Sequence, residues 1–166
     1  PYCIHPLSDG VPIQSAELLA AARDLINENV DWSKIDVILG IEAMGIPLAA
    51  ALCLHSGKPL VIGRKREYGL PGETPIDQST GYSKGAIYLN DIHEGDRVFI
   101  VDDVVSTGGT LLPILKGIDK IGAIVADCWI VFEKGEGMNY VRSHGDWPLN
   151  SLVRIEMQGN KVVLLD

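Results

Sequence analysis

Cysteine is scarce in this chain of 166 residues: Cys3, Cys53 and Cys128 are widely spaced and form no Cys-x-x-Cys pair. That pattern argues against a disulfide framework and a thiolate zinc site, and it points to a reducing cytoplasm. The three thiols are expected as small buried filler. No apolar run approaches the roughly 20 residues of a membrane-spanning helix, and no signal peptide is visible. Positive charge is also short. Fourteen Lys and Arg stand against 22 Asp and Glu, a net charge of −8, which argues against a general nucleic-acid binder. Neither Gly-x-x-x-x-Gly-Lys-Ser/Thr nor Gly-x-Gly-x-x-Gly occurs, so the P-loop and dinucleotide fingerprints are excluded. Repeats and low-complexity blocks are missing too. With 46% hydrophobic and 22% charged residues, residues 1–166 are expected to form one globular domain with a proper core.

What is present is concentrated between Val98 and Thr110. Val98 to Val101 is a short apolar, β-branched run of the kind that makes a buried strand. Asp102 and Asp103 stand where that strand is expected to end. Val104 and Val105 come next, then the small-residue turn Ser106-Thr107-Gly108-Gly109-Thr110 and an apolar helical pattern from Leu111. Glycine lets backbone approach an anion, and the free N–H groups of a first helical turn point at it. Ser106, Thr107 and Thr110 can add hydroxyl donors. Ionised Asp102 and Asp103 only accept, so they suit sugar hydroxyls or a hydrated metal rather than phosphate. Two plainer readings stay open: a strand ending at a surface acidic pair before an ordinary capped helix, or a carboxylate pair that binds metal directly.

Elsewhere the spacing predicts a helix from Ser15 to Asn29, with Ser15 as N-cap, Glu17 in the first turn and Leu18, Leu19, Ala22, Leu25 and Ile26 as its apolar stripe. Asp36 to Ile41 reads as a strand, and Pro47 opens an all-round apolar helix that Gly57 ends. Leu60 to Gly63 is a short strand and Ile87 to Leu89 a candidate. Leu111 to Ile121 is a helix and Ile124 to Phe132 a strand. The tail reads as a hairpin, Leu152 to Met157 and Val162 to Leu165 about a turn at Gln158-Gly159-Asn160. Strands alternating with helices imply an α/β fold with a parallel twisted sheet covered on both faces. Ligands of such sheets sit beyond the carboxyl ends of the strands. The loaded turns after Ile41, Gly63 and Val101 can therefore meet at one edge.

Residues 64–85 carry no periodic apolar pattern and are rich in Gly, Pro and hydroxyl residues. Connections of this length are functional lids or structureless, so a flexible lid is expected here, with a solvated loop or a β-arm for oligomer contact as the alternative.

The run from Val98 to Thr110 resembles the phosphoribosyl pyrophosphate (PRPP) signature of type I phosphoribosyltransferases. Arg64-Lys65-Arg66 with Leu70-Pro71-Gly72-Glu73 resembles the loop of adenine phosphoribosyltransferases. Glu42-Ala43-Met44-Gly45-Ile46-Pro47, the basic cluster and Gln78-Ser79-Thr80-Gly81-Tyr82-Ser83-Lys84 are more similar to archaeal-type hypoxanthine/guanine enzymes. The resemblance runs from His5-Pro6-Leu7-Ser8-Asp9-Gly10 to the tail.

It implies a Rossmann-like sheet with a small N-terminal hood and a C-terminal β-hairpin, and a Mg²⁺-dependent purine salvage reaction in which hypoxanthine or guanine and PRPP give IMP or GMP and pyrophosphate. Asp102 and Asp103 would hold the ribose, and Val105, Ser106, Thr107, Gly108, Gly109 and Thr110 the 5′-phosphate. Glu42, Ala43, Met44 and Gly45, a turn that often holds a cis peptide, would meet the pyrophosphate together with Arg64 and Lys65. Asp102, Asp103 and Lys65 are the implied catalytic set. Other members place Lys or Arg near Met44, so only main-chain contact carries over there. Ile4 and His5, with Pro6, in the hood, and Phe132, Glu133 and Lys134 as floor, would hold the base. Mg²⁺ would ride on PRPP, reaching Asp102 and Asp103 through water rather than by direct ligation. A homodimer is implied, with a loop cation of one subunit reaching the other's pyrophosphate. Adenine-specific relatives carry a Glu before the lid Tyr where this chain has Gly81, which weakens the adenine alternative. A non-catalytic PRPP or nucleotide sensor is the rival from another class. His55, His93 and His144 belong to no constellation, and Trp32, Trp129 and Trp147 are expected as packing residues.

Overall fold

The structure, a computed structural model, describes residues 3–80 and 83–165. A one-turn helix α1 (Pro6–Asp9) and α2 (Ala16–Asn27) lead through a 3-10 turn at Trp32–Lys34 into β1 (Val37–Ile41). Next come α3 (Gly45–Ser56), β2 (Leu60–Gly63), β3 (Thr74–Thr80), β4 (Ser83–Leu89), β5 (Arg97–Val105), α4 (Leu111–Ile121) and β6 (Ile124–Lys134). The chain closes with α5 (Gly137–Arg142), β7 (Leu149–Gln158) and β8 (Lys161–Leu165).

Six strands form one sheet in the order β2-β1-β5-β6-β7-β8. All neighbours run parallel except β7 and β8, which are the antiparallel tail hairpin. The middles of the central strands, Val37 to Ile41 in β1, Val98 to Val101 in β5 and Cys128 to Phe132 in β6, are apolar because both their faces are covered. Along β5, Val98 and Ile100 join the core under α4, while Phe99 and Val101 alternate into the core under α2 and α3.

Local chemistry sets the element ends. Ser15 caps α2 by accepting from the Leu18 amide, as its position before the apolar stripe implies. Gly57 and Gly122 take the left-handed conformation that ends α3 and α4. The stripe of α2 is narrower than the spacing suggests: Ala22 and Ile26 are buried, while Leu18 and Leu25 stay exposed. In α3, Leu48, Ala49 and Leu52 are buried but Leu54 is 88% exposed, so this helix is not covered all round. Of the cysteines only Cys128 is buried; Cys3 and Cys53 are half-exposed.

Two expectations need correction. β5 does not end at the acidic pair but runs on to Val105, so Asp102 and Asp103 are strand residues. Pairing with β6 continues through Asp102–Ile130, Val104–Phe132 and Val105–Glu133, which carries the extended backbone past the carboxylates. Residues 64–85 are not a structureless connection either. β3 and β4 form an antiparallel ribbon with Ile76 opposite Ile87 and Thr74 opposite Leu89. Ile76, Ile87 and Leu89 are buried in the core beneath α4, and a Cβ on Gly117 of that helix would overlap Ile76. The signal was hidden because these apolar partners come from two strands and not from one run. Gly81 and Tyr82 lie outside the described residues.

Candidate active site

The glycine-rich turn folds as its composition demands. Gly108 has φ +77°, a conformation L side chains rarely adopt. The Gly109 amide is 3.3 Å from Thr107 Oγ1, and α4 begins at Leu111 with no side chain capping Thr110. α3 likewise begins behind Met44 with no side-chain cap. By contrast α1 and α2 are capped by His5 and Ser15. Short α5 is uncapped too, but it is the N-termini of α3 and α4 that leave amides and positive dipole ends for an anion at the flanks of the acidic pair.

A cleft of about 150 Å³ is lined by Asp102, Val104, Val105, the whole run from Ser106 to Thr110, Leu111 and Ile130. A second cleft of about 280 Å³ is lined by Cys3, His5, Ser8, Asp103, Val104, Ser106, Lys134 and Ile155. The clefts adjoin across Val104 and Ser106. Asp102 opens into the first and Asp103 into the second, as the alternation of a strand requires.

The turn after β1 comes close on the other side. The Glu42–Ala43 peptide is cis. A Cβ on Gly45 would lie 2.8 Å from the Val101 carbonyl and 3.1 Å from Asp102 Oδ1, so the first turn of α3 rests on the acidic pair only because residue 45 is glycine. Glu42 Oε2 accepts from the Lys65 amide at 2.8 Å and stands 3.5 Å from Arg64 Nε, tying the ends of β1 and β2 together. The Lys65 side chain is exposed, and its charge acts on Asp102.

Burial pushes the Asp102 carboxyl well above the usual carboxylate range, and the charge of Asp103 adds to the shift. Asp103 is raised by burial too, opposed by the Asp102 side chain and the Val104 amide. Burial lowers His5, against the pull of Asp103 and Asp9, and so favours its neutral imidazole.

The structure thus brings Asp102, Asp103, the turn from Val105 to Thr110, Glu42, Ala43, Met44, Gly45, Arg64 and Lys65 to one sheet edge. The base-side residues are distributed differently. His5 lines the second cleft, with its ring 4.6 Å from that of Phe132 in an edge-on contact. Phe132 is half-buried and does not line the cleft; Ile4 is exposed and points no apolar wall into it. The Glu133 carboxyl is buried and engaged elsewhere: Ser151 Oγ donates to it at 2.8 Å, with Arg154 Nε at 3.6 Å and Arg142 Nη1 at 3.7 Å. Lys134, expected as part of the floor, lines the second cleft. Sequence reasoning missed Cys3, Ser8 and Ile155; Ile155 arrives only through the return of β7.

Residues 14–162 match the model of the phosphoribosyl transferase domain family. A hypoxanthine/guanine phosphoribosyltransferase of Methanotorris igneus is 49% identical over 99% of this chain and 90% of its own length. That of Ferroglobus placidus is also 49% identical, over 100% of this chain and 88% of its own. Among solved structures, an adenine phosphoribosyltransferase from Rhodothermus marinus superposes with a TM-score of 0.74 at 26% identity, covering 84% of this chain and 81% of that one.

Proposed function

Because the chain belongs to the phosphoribosyltransferase family, we propose that it is a purine salvage enzyme that transfers the phosphoribosyl group of PRPP to hypoxanthine or guanine. A bond forms between C1 of the ribose and a ring nitrogen of the base, which gives up its proton to water, while the bond from C1 to the pyrophosphate oxygen breaks and that oxygen leaves with the electron pair. The observation that carries this reading is the pair of adjoining clefts, with a phosphate turn in one and an acidic strand between them. Curated relatives that match nearly the whole chain support the choice of base.

In this reading amides from Ser106 to Thr110 hold the 5′-phosphate, while Asp102 and Asp103 accept from the ribose hydroxyls and stabilise positive charge developing on the sugar. Amides of the Glu42–Gly45 turn, with Arg64 and Lys65, meet the pyrophosphate. His5 and its neighbours wall the base. Mg²⁺ bound with PRPP would neutralise charge on the departing pyrophosphate. The donor set suits that ion: Mg²⁺ keeps several waters and binds substrate phosphates, and Asp102 and Asp103 would accept hydrogen bonds from those waters. Among the described residues no group of three or more His, Cys, Asp or Glu forms a cage of its own. The enzyme is proposed to be cytoplasmic and dimeric, with exposed Leu18 and Leu25 of α2 and Leu54 of α3, two helices packed on each other, as apolar surface for a second copy.

Initial rates of pyrophosphate release across adenine, hypoxanthine, guanine and pyrimidines, with Mg²⁺ and PRPP, test the reading. Turnover with hypoxanthine and guanine is expected. Turnover with adenine alone would favour the second reading, adenine transfer, to which the solved relative points. Tight PRPP binding with no release for any base would leave a sensor.

A further inference from the structure

Ser8 and Glu133 are the buried polar residues among the described ones. The Glu133 partners are Ser151 and Arg154 of β7 and Arg142 of α5, but Ser8 is turned into the base-side cleft. Its setting is a directed chain of hydrogen bonds. His5 caps the single turn of α1, with Nδ1 accepting from the Ser8 amide at 3.3 Å. A neutral imidazole that accepts at Nδ1 carries its proton on Nε2, and Nε2 lies 2.8 Å from Ser8 Oγ. The hydroxyl therefore accepts from the ring, and its own proton is left for Asp103 Oδ2, to which Ser8 Oγ donates across 95 residues of sequence. The Asp9 carboxylate accepts from the His5 amide at 3.0 Å, which closes the turn on itself. Each proton in this chain has one destination, and the chain ends on the carboxylate that opens into the second cleft.

A carboxylate on a strand rotates easily about its last torsion unless something holds one oxygen. We propose that Ser8 is a positioning residue for the transfer reaction: its hydroxyl, aimed by His5, holds Asp103 Oδ2 and leaves Oδ1 to accept from the ribose of PRPP. The inference rests on the proposed ribose-binding role of Asp103. It also assigns the N-terminal turn a second task beyond walling the base, since the same serine lines the base cleft and orients the sugar-binding group.

The test is a double-mutant cycle with three readouts: PRPP affinity by calorimetry without base, kcat, and KM for hypoxanthine. For Ser8→Ala the expected loss is about tenfold in PRPP affinity or kcat, the scale of one hydrogen bond to a charged group, with the hypoxanthine KM within about twofold of wild type and most of the loss recovered in Ser8→Thr. In an Asp103→Asn background Ser8→Ala adds nothing further, because the serine acts through the aspartate. A wild-type PRPP affinity and kcat for Ser8→Ala overturns the inference, as does a change confined to the hypoxanthine KM or a full additional loss in the double variant. Asp103→Asn turning over like wild type instead refutes the ribose role itself, so the two failures are distinguishable. Should Ser8→Ala not fold, the isosteric pair Ser8→Thr and Ser8→Val makes the same comparison, one with and one without the hydroxyl.

Discussion

Gly137 lies directly beneath Ser106: a methyl group on its Cα would overlap the Ser106 carbonyl and stand 2.8 Å from the Thr107 nitrogen. A Cβ on Gly108 would in turn meet Val141 at 2.8 Å and the Gly137 carbonyl at 3.0 Å. The glycine-rich turn is thus packed against α5, whose Met138 and Val141 are anchored in the core. Gly137→Ala should displace the turn. We expect it to cost about 1–3 kcal/mol of stability, as overpacking does, and to weaken PRPP binding at least about tenfold. Calorimetric titration and thermal unfolding check both; an unchanged PRPP affinity would show that α5 does not support the turn.

Asp103→Asn keeps the shape of the side chain but removes the charge proposed to face the ribose. Turnover is expected to fall at least about a hundredfold, about 3 kcal/mol of transition-state stabilisation, with the fold intact by circular dichroism. Near-wild-type rates would refute its assigned role.

The buried acidic pair carries a stability cost with a definite sign. The Asp102 carboxyl is raised in the folded chain, so in the window above the ordinary carboxylate value of about 4 the unfolded chain binds fewer protons than the folded one. Stability then falls as pH rises through that window. Asp102→Asn is expected to melt higher than wild type at pH 7 without ligand, though it loses activity, and the gap should close on acidification. A lower melting temperature for the variant at pH 7 would contradict this account.

The opposite sign holds at the far end of β5. Arg97 grips Asp36 through Nε at 2.9 Å and Nη2 at 2.7 Å, and this lowers the Asp36 carboxyl to about 2. Its contribution is present above the unfolded value of about 3.9 and is lost as pH falls through about 2. Both groups are exposed, so Asp36→Asn should cost little, and only above that window. A pH-independent loss would mean that packing, not charge, ties β1 to β5.

Ile87 is fully buried beneath α4 although it belongs to the ribbon that shows no apolar period in sequence. Ile87→Ala should cost about 2–5 kcal/mol in denaturant melts. A loss under about 0.5 kcal/mol, the usual effect of a surface substitution, would mean that the ribbon does not share the core.

Much of this protein is written in short stretches of its chain. β-branched runs made the central strands, Ser15 and Gly57 marked helix ends, and the small-residue turn before Leu111 marked the tight turn into α4, because each is a local preference of the backbone. Tertiary structure decided the rest, where distant residues meet. Cross-strand pairing with β6 carried β5 through Asp102 and Asp103, and contact with α4 buried Ile76 and Ile87. Packing under the turn demanded Gly137. Distant partners engaged the Glu133 carboxylate, and the fold of residues 3–10 set Ser8 on Asp103. Periodicity records what one segment buries, but not which other segment arrives to cover it.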